Sequence, residues 1–136
     1  MINPIEHART KEAASKYKVE PFSIVADIYG KSNLAGRGGW TWYTGSSSWF
    51  YKAGLEYILG MKIKNNELCF NPCISKEWKE YSIRYLYGQS VYNITVSNPK
   101  GRNSGVEEFK LNGNIIKEKK VTLIDDGSIN KVEIIM

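Results

Sequence analysis

This sequence has few of the residues that metal sites and disulfide frameworks need. Its 136 residues include one histidine and two cysteines, and the four-residue spacing of Cys69 and Cys73 around Pro72 favours neither a tight disulfide nor a metal site without further ligands. We therefore expect no metal and two buried free thiols in a reducing compartment. No apolar run approaches the roughly 20 residues of a membrane-spanning helix. The amino-terminal residues do not have the pattern of a signal peptide, so we expect a cytoplasmic chain without a membrane segment.

The charge balance permits an acidic partner without indicating one. Nineteen Lys and Arg residues against 14 Asp and Glu residues give a formal net charge of +5, and a nucleic-acid module is the obvious rival class. The lysines are spread over turns and strand edges, and their one cluster, at residues 117–120, is interrupted by Glu118. Lysines at strand edges also discourage aggregation between sheets. We therefore predict no nucleic-acid partner.

Residues 36–49 are rich in glycine and tryptophan, with the sequence Gly-Arg-Gly-Gly-Trp-Thr-Trp-Tyr-Thr-Gly-Ser-Ser-Ser-Trp. Glycines let a backbone approach a ligand closely, and tryptophans offer flat apolar faces that each carry one donor. This combination suits a sugar, or a sugar together with an anion. Trp40 and Trp42 alternate, so one of them can point toward a binding cleft. Arg37 lies between glycines and is a plausible second anion contact.

The Thr44-Gly45 step precedes a predicted helix over residues 46–59, which Gly60 ends. Trp49 and Phe50 recur at helical spacing and are assigned to packing. A helix amino terminus has free N–H groups and a partial positive charge, so a threonine hydroxyl beside a glycine amide there is a natural anion seat. The alternative, that Thr44 or a serine merely caps the helix, stays open on these grounds.

Several short motifs flank this stretch in a fixed order. They are Asn-Pro-Ile-Glu-His-Ala-Arg-Thr at 3–10, Tyr-Lys-Val-Glu-Pro-Phe at 17–22, Ala-Asp-Ile-Tyr at 26–29, Leu-Gly-Met-Lys at 59–62, Asn-Pro-Cys-Ile at 71–74 and Tyr-Gly-Gln-Ser-Val-Tyr at 87–92. The series resembles the carboxy-terminal end of the inverting glycoside phosphorylases, the cellobiose and chitobiose phosphorylase family. It is most similar to the phosphorylase-like region of cyclic β-1,2-glucan synthases. The resemblance covers nearly the whole chain.

The resemblance implies phosphorolysis of a β-glycosidic bond, or its reverse, with inorganic phosphate as co-substrate and no other cofactor. The family's phosphate-binding Thr-Gly pair corresponds to Thr44 and Gly45, and Glu20 would lie near the sugar cleft with Trp40 and Trp42. The family's catalytic aspartate lies upstream, so no catalytic residue is assigned in this chain. His7 is not the family's phosphate-site histidine and is interpreted as a surface or loop residue near a helix start. Asp27 and Glu56 are assigned structural roles.

The predicted fold class is α+β, in two parts. By the resemblance, residues 1–60 hold the last helices and phosphate-binding loop of an (α/α)6 barrel, and residues 61–136 form an antiparallel, jelly-roll-like β-sandwich. The pattern itself predicts helices over 12–18, 21–29 and 46–59. It predicts hairpins over 61–70, 81–97 and 106–120, where turns at Asn65-Asn66, Gly88-Gln89 and Asn112-Gly113 separate the strands. A closing strand is predicted over 131–135.

Three hypotheses follow for the function. The chain is the terminal part of a glycoside phosphorylase or of a larger membrane-bound synthase, inactive alone. Alternatively, it is a β-sandwich carbohydrate-binding module, or a subunit that completes a barrel supplied by another chain. The expected partners are a β-linked oligosaccharide or glucan, phosphate, and the remainder of the barrel. Because helices taken from a toroid would leave aromatic flanks exposed, we also expect self-association or a disordered amino-terminal region.

Overall fold

The computed structural model describes residues 4–20, 23–41 and 45–136. It divides into two compact units, Met1–Tyr51 and Lys52–Met136. Helix α1 spans Pro4–His7 and helix α2 spans Lys11–Tyr17. Thr10 caps α2, because its hydroxyl accepts a hydrogen bond from the Ala13 N–H at 3.1 Å. The predicted helix over 12–18 is confirmed to within one residue.

The predicted helix over residues 21–29 is wrong where the structure describes it. Residues 23–26 are irregular, and Asp27–Ile28 forms strand β1, which pairs antiparallel with strand β2 at Gly38–Gly39. Between the strands, the Tyr29 N–H donates to the Arg37 carbonyl at 2.9 Å, and the Gly36 N–H donates to the Tyr29 carbonyl at 2.9 Å. The backbone groups of this segment therefore form hydrogen bonds across a loop and not along a helix.

The predicted helix over 46–59 is confirmed, with a change of type near its end. Helix α3 spans Ser46–Ala53 and continues as a π-helical turn over Gly54–Ile58. The packing assignment is wrong for Trp49, whose side chain is 73% exposed, while Phe50 is half-buried. No helix among the described residues is both long and apolar enough to span a bilayer.

The unit Lys52–Met136 is built mainly from antiparallel strands. Its eight strands are β3 Met61–Lys64, β4 Glu67–Phe70, β5 Glu80–Tyr87, β6 Ser90–Ser97, β7 Glu108–Leu111, β8 Asn114–Ile115, β9 Lys120–Thr122 and β10 Ile129–Ile135. One sheet has the order β5-β6-β10-β7-β8 and the other has the order β3-β4-β9. The one parallel pairing in the described sheets is between β10 and β6.

The first two predicted hairpins are confirmed, and the third only in part. The register runs from Met61↔Phe70 to Lys64↔Glu67 in the first, and from Glu80↔Ser97 to Tyr87↔Ser90 in the second. The predicted strand over 114–120 is wrong beyond Ile115. Lys119 has a φ of 54°, and the chain turns there, so Lys120 joins the other sheet opposite Cys69.

Both sheets contribute side chains to one hydrophobic core. The smaller sheet supplies Met61, Leu68, Phe70 and Val121, and the larger supplies Tyr92, Ile94, Val96, Phe109, Val132 and Ile134. In β6 buried positions alternate with more exposed ones, which is the period-2 pattern of a sheet with one covered face. Two sheets that share a core in this way are compatible with a β-sandwich.

Two smaller expectations need correction. Cys69 and Cys73 are free, but Cys69 is half-buried and Cys73 is exposed, so the prediction of two buried thiols is wrong. The reason is that Cys73 lies outside the named strands, after β4 has ended at Phe70. His7 is a half-buried helical residue, the last of α1, rather than a surface or loop residue, and its ring stacks on Tyr17 with centroids 4.2 Å apart.

Candidate functional site

Of the predicted phosphate pair, the structure describes Gly45, at the start of α3. Thr44 and Trp42 are outside the described residues, whereas Gly45 directly precedes the first residue of α3 and is exposed. Among the described residues, no atom beyond its chain neighbours lies within 4 Å of the position that a Cβ on Gly45 would take. The backbone at Gly45 is therefore open to a ligand.

The first turn of α3 has the polarity that an anion site needs. It contains Ser47 and Ser48 and no acidic side chain, so no neighbouring carboxylate in that turn offsets the positive end of the helix dipole. Backbone N–H groups and the helix dipole at an amino terminus favour a bound anion. The arrangement is one that can bind phosphate, and the same groups can also cap the helix.

Trp40 is the tryptophan of the predicted sugar site that lies within the described residues. Its side chain is 68% exposed, and its φ of 46° places a bulky residue in the left-handed region, which is uncommon outside constrained sites. The Trp40 carbonyl accepts a hydrogen bond from the Ala26 N–H at 3.2 Å. The chain thus holds an indole ring at the surface just after β2.

Glu20 lies in the short segment after α2. It is half-buried, and its carbonyl accepts a hydrogen bond from the Ser23 N–H at 3.0 Å. The two acids that were assigned structural roles lie in secondary structure elements. Glu56 is in the π-helical turn and pairs with Lys52 at 3.8 Å, and Asp27 lies on β1. In the described parts of the chain, no group of three or more His, Cys, Asp or Glu residues could hold a metal ion.

Arg37 lines a small cavity that the sequence did not predict. The cavity, of about 160 Å³, is bounded by Lys16, Lys18, Asn33, Leu34, Ala35 and Arg37. The two lysines belong to the end of α2 and lie far from Arg37 in sequence. The β1–β2 pairing closes the loop that carries Arg37, and the Lys16 side chain crosses that loop at Gly36. Residue spacing carries no signal of either contact.

A second cavity lies on the five-stranded sheet and has a different character. Its volume is about 240 Å³, and its lining is Lys79, Thr95, Ser97, Pro99, Lys110, Glu133, Ile134 and Ile135. None of these side chains is aromatic, so the cavity has no flat ring on which a sugar could stack. This cavity therefore does not support the carbohydrate-binding hypothesis.

The chain is similar in sequence to known carbohydrate-active enzymes. Residues 1–60 match the Glycosyl hydrolase 94 superfamily, catalytic domain, and residues 61–101 match the Glycosyl hydrolase family 65, C-terminal domain. The cyclic beta-(1,2)-glucan synthase NdvB of Rhizobium meliloti (strain 1021) is 42% identical over 86% of this chain and 4% of its own length. The N,N'-diacetylchitobiose phosphorylase of Vibrio furnissii is 32% identical over 86% of this chain and 14% of its own length. A solabiose phosphorylase of Paenibacillus borealis is 27% identical over 86% of this chain and 15% of its own length. The chain therefore spans only a small part of these relatives.

Proposed function

Because this chain belongs to the glycoside phosphorylase family of the Glycosyl hydrolase 94 superfamily and corresponds to its carboxy-terminal segment, we propose that it is part of an inverting phosphorylase or glycosyltransferase acting on β-glucosides. In this role, residues 1–60 carry the end of an (α/α)6 barrel and residues 61–136 form a β-sandwich. The observation that carries the proposal is the open Gly45 backbone at the acid-free start of α3.

The chemistry of phosphorolysis explains what such a segment supplies. An inverting hydrolase needs one carboxylate to activate water and one carboxylic acid to protonate the leaving oxygen. Phosphate is already an anionic nucleophile, so a phosphorylase needs the acid and a phosphate seat beside the anomeric carbon. In this proposal the Thr44 hydroxyl and the Gly45 N–H donate to phosphate. The acid comes from residues outside this chain, so the chain alone is inactive.

The sugar side of the site is assigned to Glu20, Trp40 and Trp42. A tryptophan face can cover the apolar face of a pyranose ring while its N–H and a carboxylate bond to hydroxyls. Trp40 is exposed in a constrained backbone conformation, which supports this role. The substrate in this proposal is a β-linked oligosaccharide or glucan.

Exposed aromatic side chains on α3 favour contact with further protein. Trp49 is 73% exposed and Tyr51 is 74% exposed. Residues two apart on a helix point to different sides, so α3 exposes a large aromatic ring on each of two faces, and such exposed rings favour contact with other protein. We assign these contacts to the remainder of the catalytic barrel, in the same polypeptide or a partner, with self-association as the alternative. The enzyme acts in the cytoplasm, either free or as part of a membrane-bound synthase.

The proposal is tested on the native polypeptide that carries this segment. An antibody to the chain detects it in cell extract and purifies it for assay with β-1,2-glucan and chitobiose. The expected result is a band much larger than 136 residues and release of a sugar 1-phosphate that depends on added phosphate, whereas the isolated chain releases none. Hydrolysis that is independent of phosphate would overturn the phosphorylase proposal. A band at the size of the chain would indicate that a separate partner chain supplies the catalytic acid.

A further inference from the structure

We propose that the cavity between the end of α2 and the loop at residues 31–37 binds a small oxyanion of the phosphate type through Lys16, Lys18 and Arg37. This site uses residues other than Thr44 and Gly45, and it goes beyond the proposed function. Every residue that lines it belongs to the unit Met1–Tyr51.

The cavity is lined by three positive charges. Three of its six lining residues are cations and none is acidic. Within the described residues, no ion pair joins any of these three cations to a carboxylate. The cavity on the five-stranded sheet differs, because there Glu133 shares the lining and Lys110 pairs with Glu108 at 2.6 Å. All three cations are exposed, so water and salt weaken their mutual repulsion, and an anion between them would weaken it further.

The backbone that carries these cations is held by local hydrogen bonds. Lys18 ends α2 in the left-handed conformation, and its N–H donates to the Ala14 carbonyl at 2.9 Å. The Arg37 N–H donates to the Leu34 carbonyl at 2.9 Å. The Lys16 side chain crosses Gly36 so closely that a Cβ there would lie 2.6 Å from Lys16 Cε and 3.2 Å from Nζ. Glycine at position 36 therefore leaves the space that the lysine occupies.

Stabilisation of α2 explains two of the three cations that line the cavity. Lysines near the carboxyl end of α2 interact favourably with the helix dipole, which accounts for Lys16 and Lys18. It does not account for Arg37, which arrives from a loop and adds a third positive charge to the same cavity. A bound anion accounts for all three.

The size and chemistry of the cavity select the ligand. Pockets for larger small molecules hold about 300–1,000 Å³, whereas this cavity is about 160 Å³, so it suits a small ion. A guanidinium presents a planar fork of donors to two oxygens of a phosphate, and each ammonium adds a charged donor. The ligand class is therefore inorganic phosphate or the phosphate group of a sugar phosphate.

The test is a titration of the ¹⁵N-labelled chain with inorganic phosphate at constant ionic strength, followed through the amide signals of residues 33–37. Arg37→Gln and Lys18→Gln each remove one cation of the site. Lys31→Gln is the matched control, because Lys31 is in the same loop and does not line the cavity. Thr44→Val separates this site from the proposed catalytic phosphate site.

We expect saturable shifts at residues 33–37 and a dissociation constant about tenfold weaker in Arg37→Gln and in Lys18→Gln, as for the loss of one charge-assisted contact. Lys31→Gln and Thr44→Val should leave that constant unchanged. Tighter binding of glucose 1-phosphate than of phosphate identifies a sugar phosphate as the ligand. Equal weakening by Lys31→Gln, equal shifts with chloride, or shifts confined to Gly45 and its neighbours would overturn the proposal.

Discussion

Replacing Gly60 by alanine should destabilise the β-rich unit by more than its backbone conformation alone accounts for. Gly60 follows the π-helical turn, is buried, and has a φ of 77°. Alanine in the left-handed region costs about 1–2 kcal/mol. A Cβ at this position would also lie 2.5 Å from the Asn71 carbonyl oxygen, with other backbone atoms of Asn71 and Pro72 also too close.

The steric cost of the Cβ can be separated from the conformational cost of alanine at this φ. Because the obstructing atoms are backbone, they cannot move aside as a side chain could, and overpacking of this kind costs about 1–3 kcal/mol. The expected total for Gly60→Ala is therefore about 2–5 kcal/mol. Gly127 is the matched control, since it has the same φ of 77° and, in the part of the chain that the structure describes, no atom beyond its chain neighbours within 4 Å of a Cβ. Gly127→Ala should cost only the conformational part.

The assay is amide hydrogen exchange at Ile94 and Val132, on the central strands β6 and β10, where the slowest amides report opening of the whole unit. The free energy of opening should fall more in Gly60→Ala than in Gly127→Ala. Equal losses in the two variants would show that the close approach of Gly60 to Asn71 and Pro72 does not constrain the fold.

Two further predictions concern the same unit. Val132 is fully buried at the centre of the larger sheet, so Val132→Ala should cost about 2 kcal/mol in urea unfolding, whereas Ile129→Ala, at a 75% exposed position, should change stability by less than about 0.5 kcal/mol. Hydrogen bonds from the side chain and backbone of Ser128, and then from Ser90, lower the pKa of Asp126 below its ordinary value of 3.8. A depressed pKa gives stability that is present above 3.8 and lost as the pH falls through the folded-state value, so the urea midpoint of the native chain should fall in that window more than that of Asp126→Asn. Equal costs for Val132→Ala and Ile129→Ala, or parallel pH profiles for the native chain and Asp126→Asn, would contradict these predictions.

Strand pairing was predictable from the sequence where a short turn rich in asparagine or glycine joins the two strands. Asn65 has a φ of 57°, and Asn112 and Gly113 have φ values of 50° and 84°, and asparagine and glycine are the residues that adopt such angles in tight hairpins. The pairing of β10 with β6 could not be predicted in this way, because it joins strands that no short turn connects. Nor could alternation along residues 114–120 show that Lys120 belongs to the other sheet.

The helical half was less predictable. Residues 23–29 are apolar enough to suggest a helix, but β1 pairs with the glycines of β2 instead. A Cβ on Gly38 would lie 2.9 Å from Val25 Cγ1, so this close approach depends on glycine and is not visible from local periodicity. The Thr44-Gly45 site was predicted from helix-terminus chemistry and from the resemblance. The cation cavity at Arg37 depends on tertiary contacts, and the sequence indicated only one of its three charges.

The most direct test of the central claim is the phosphate dependence of the complete enzyme that carries this segment. Thr44→Val keeps the shape of the side chain and removes its hydroxyl, while Thr41→Val makes the same change a few residues earlier. If Thr44 binds phosphate, Thr44→Val should weaken phosphate use by about 1–3 kcal/mol, the cost of a lost hydrogen bond to a charged group, and Thr41→Val should not. An unchanged Michaelis constant for phosphate in Thr44→Val, or an equal change in both variants, would remove Thr44 from the phosphate site.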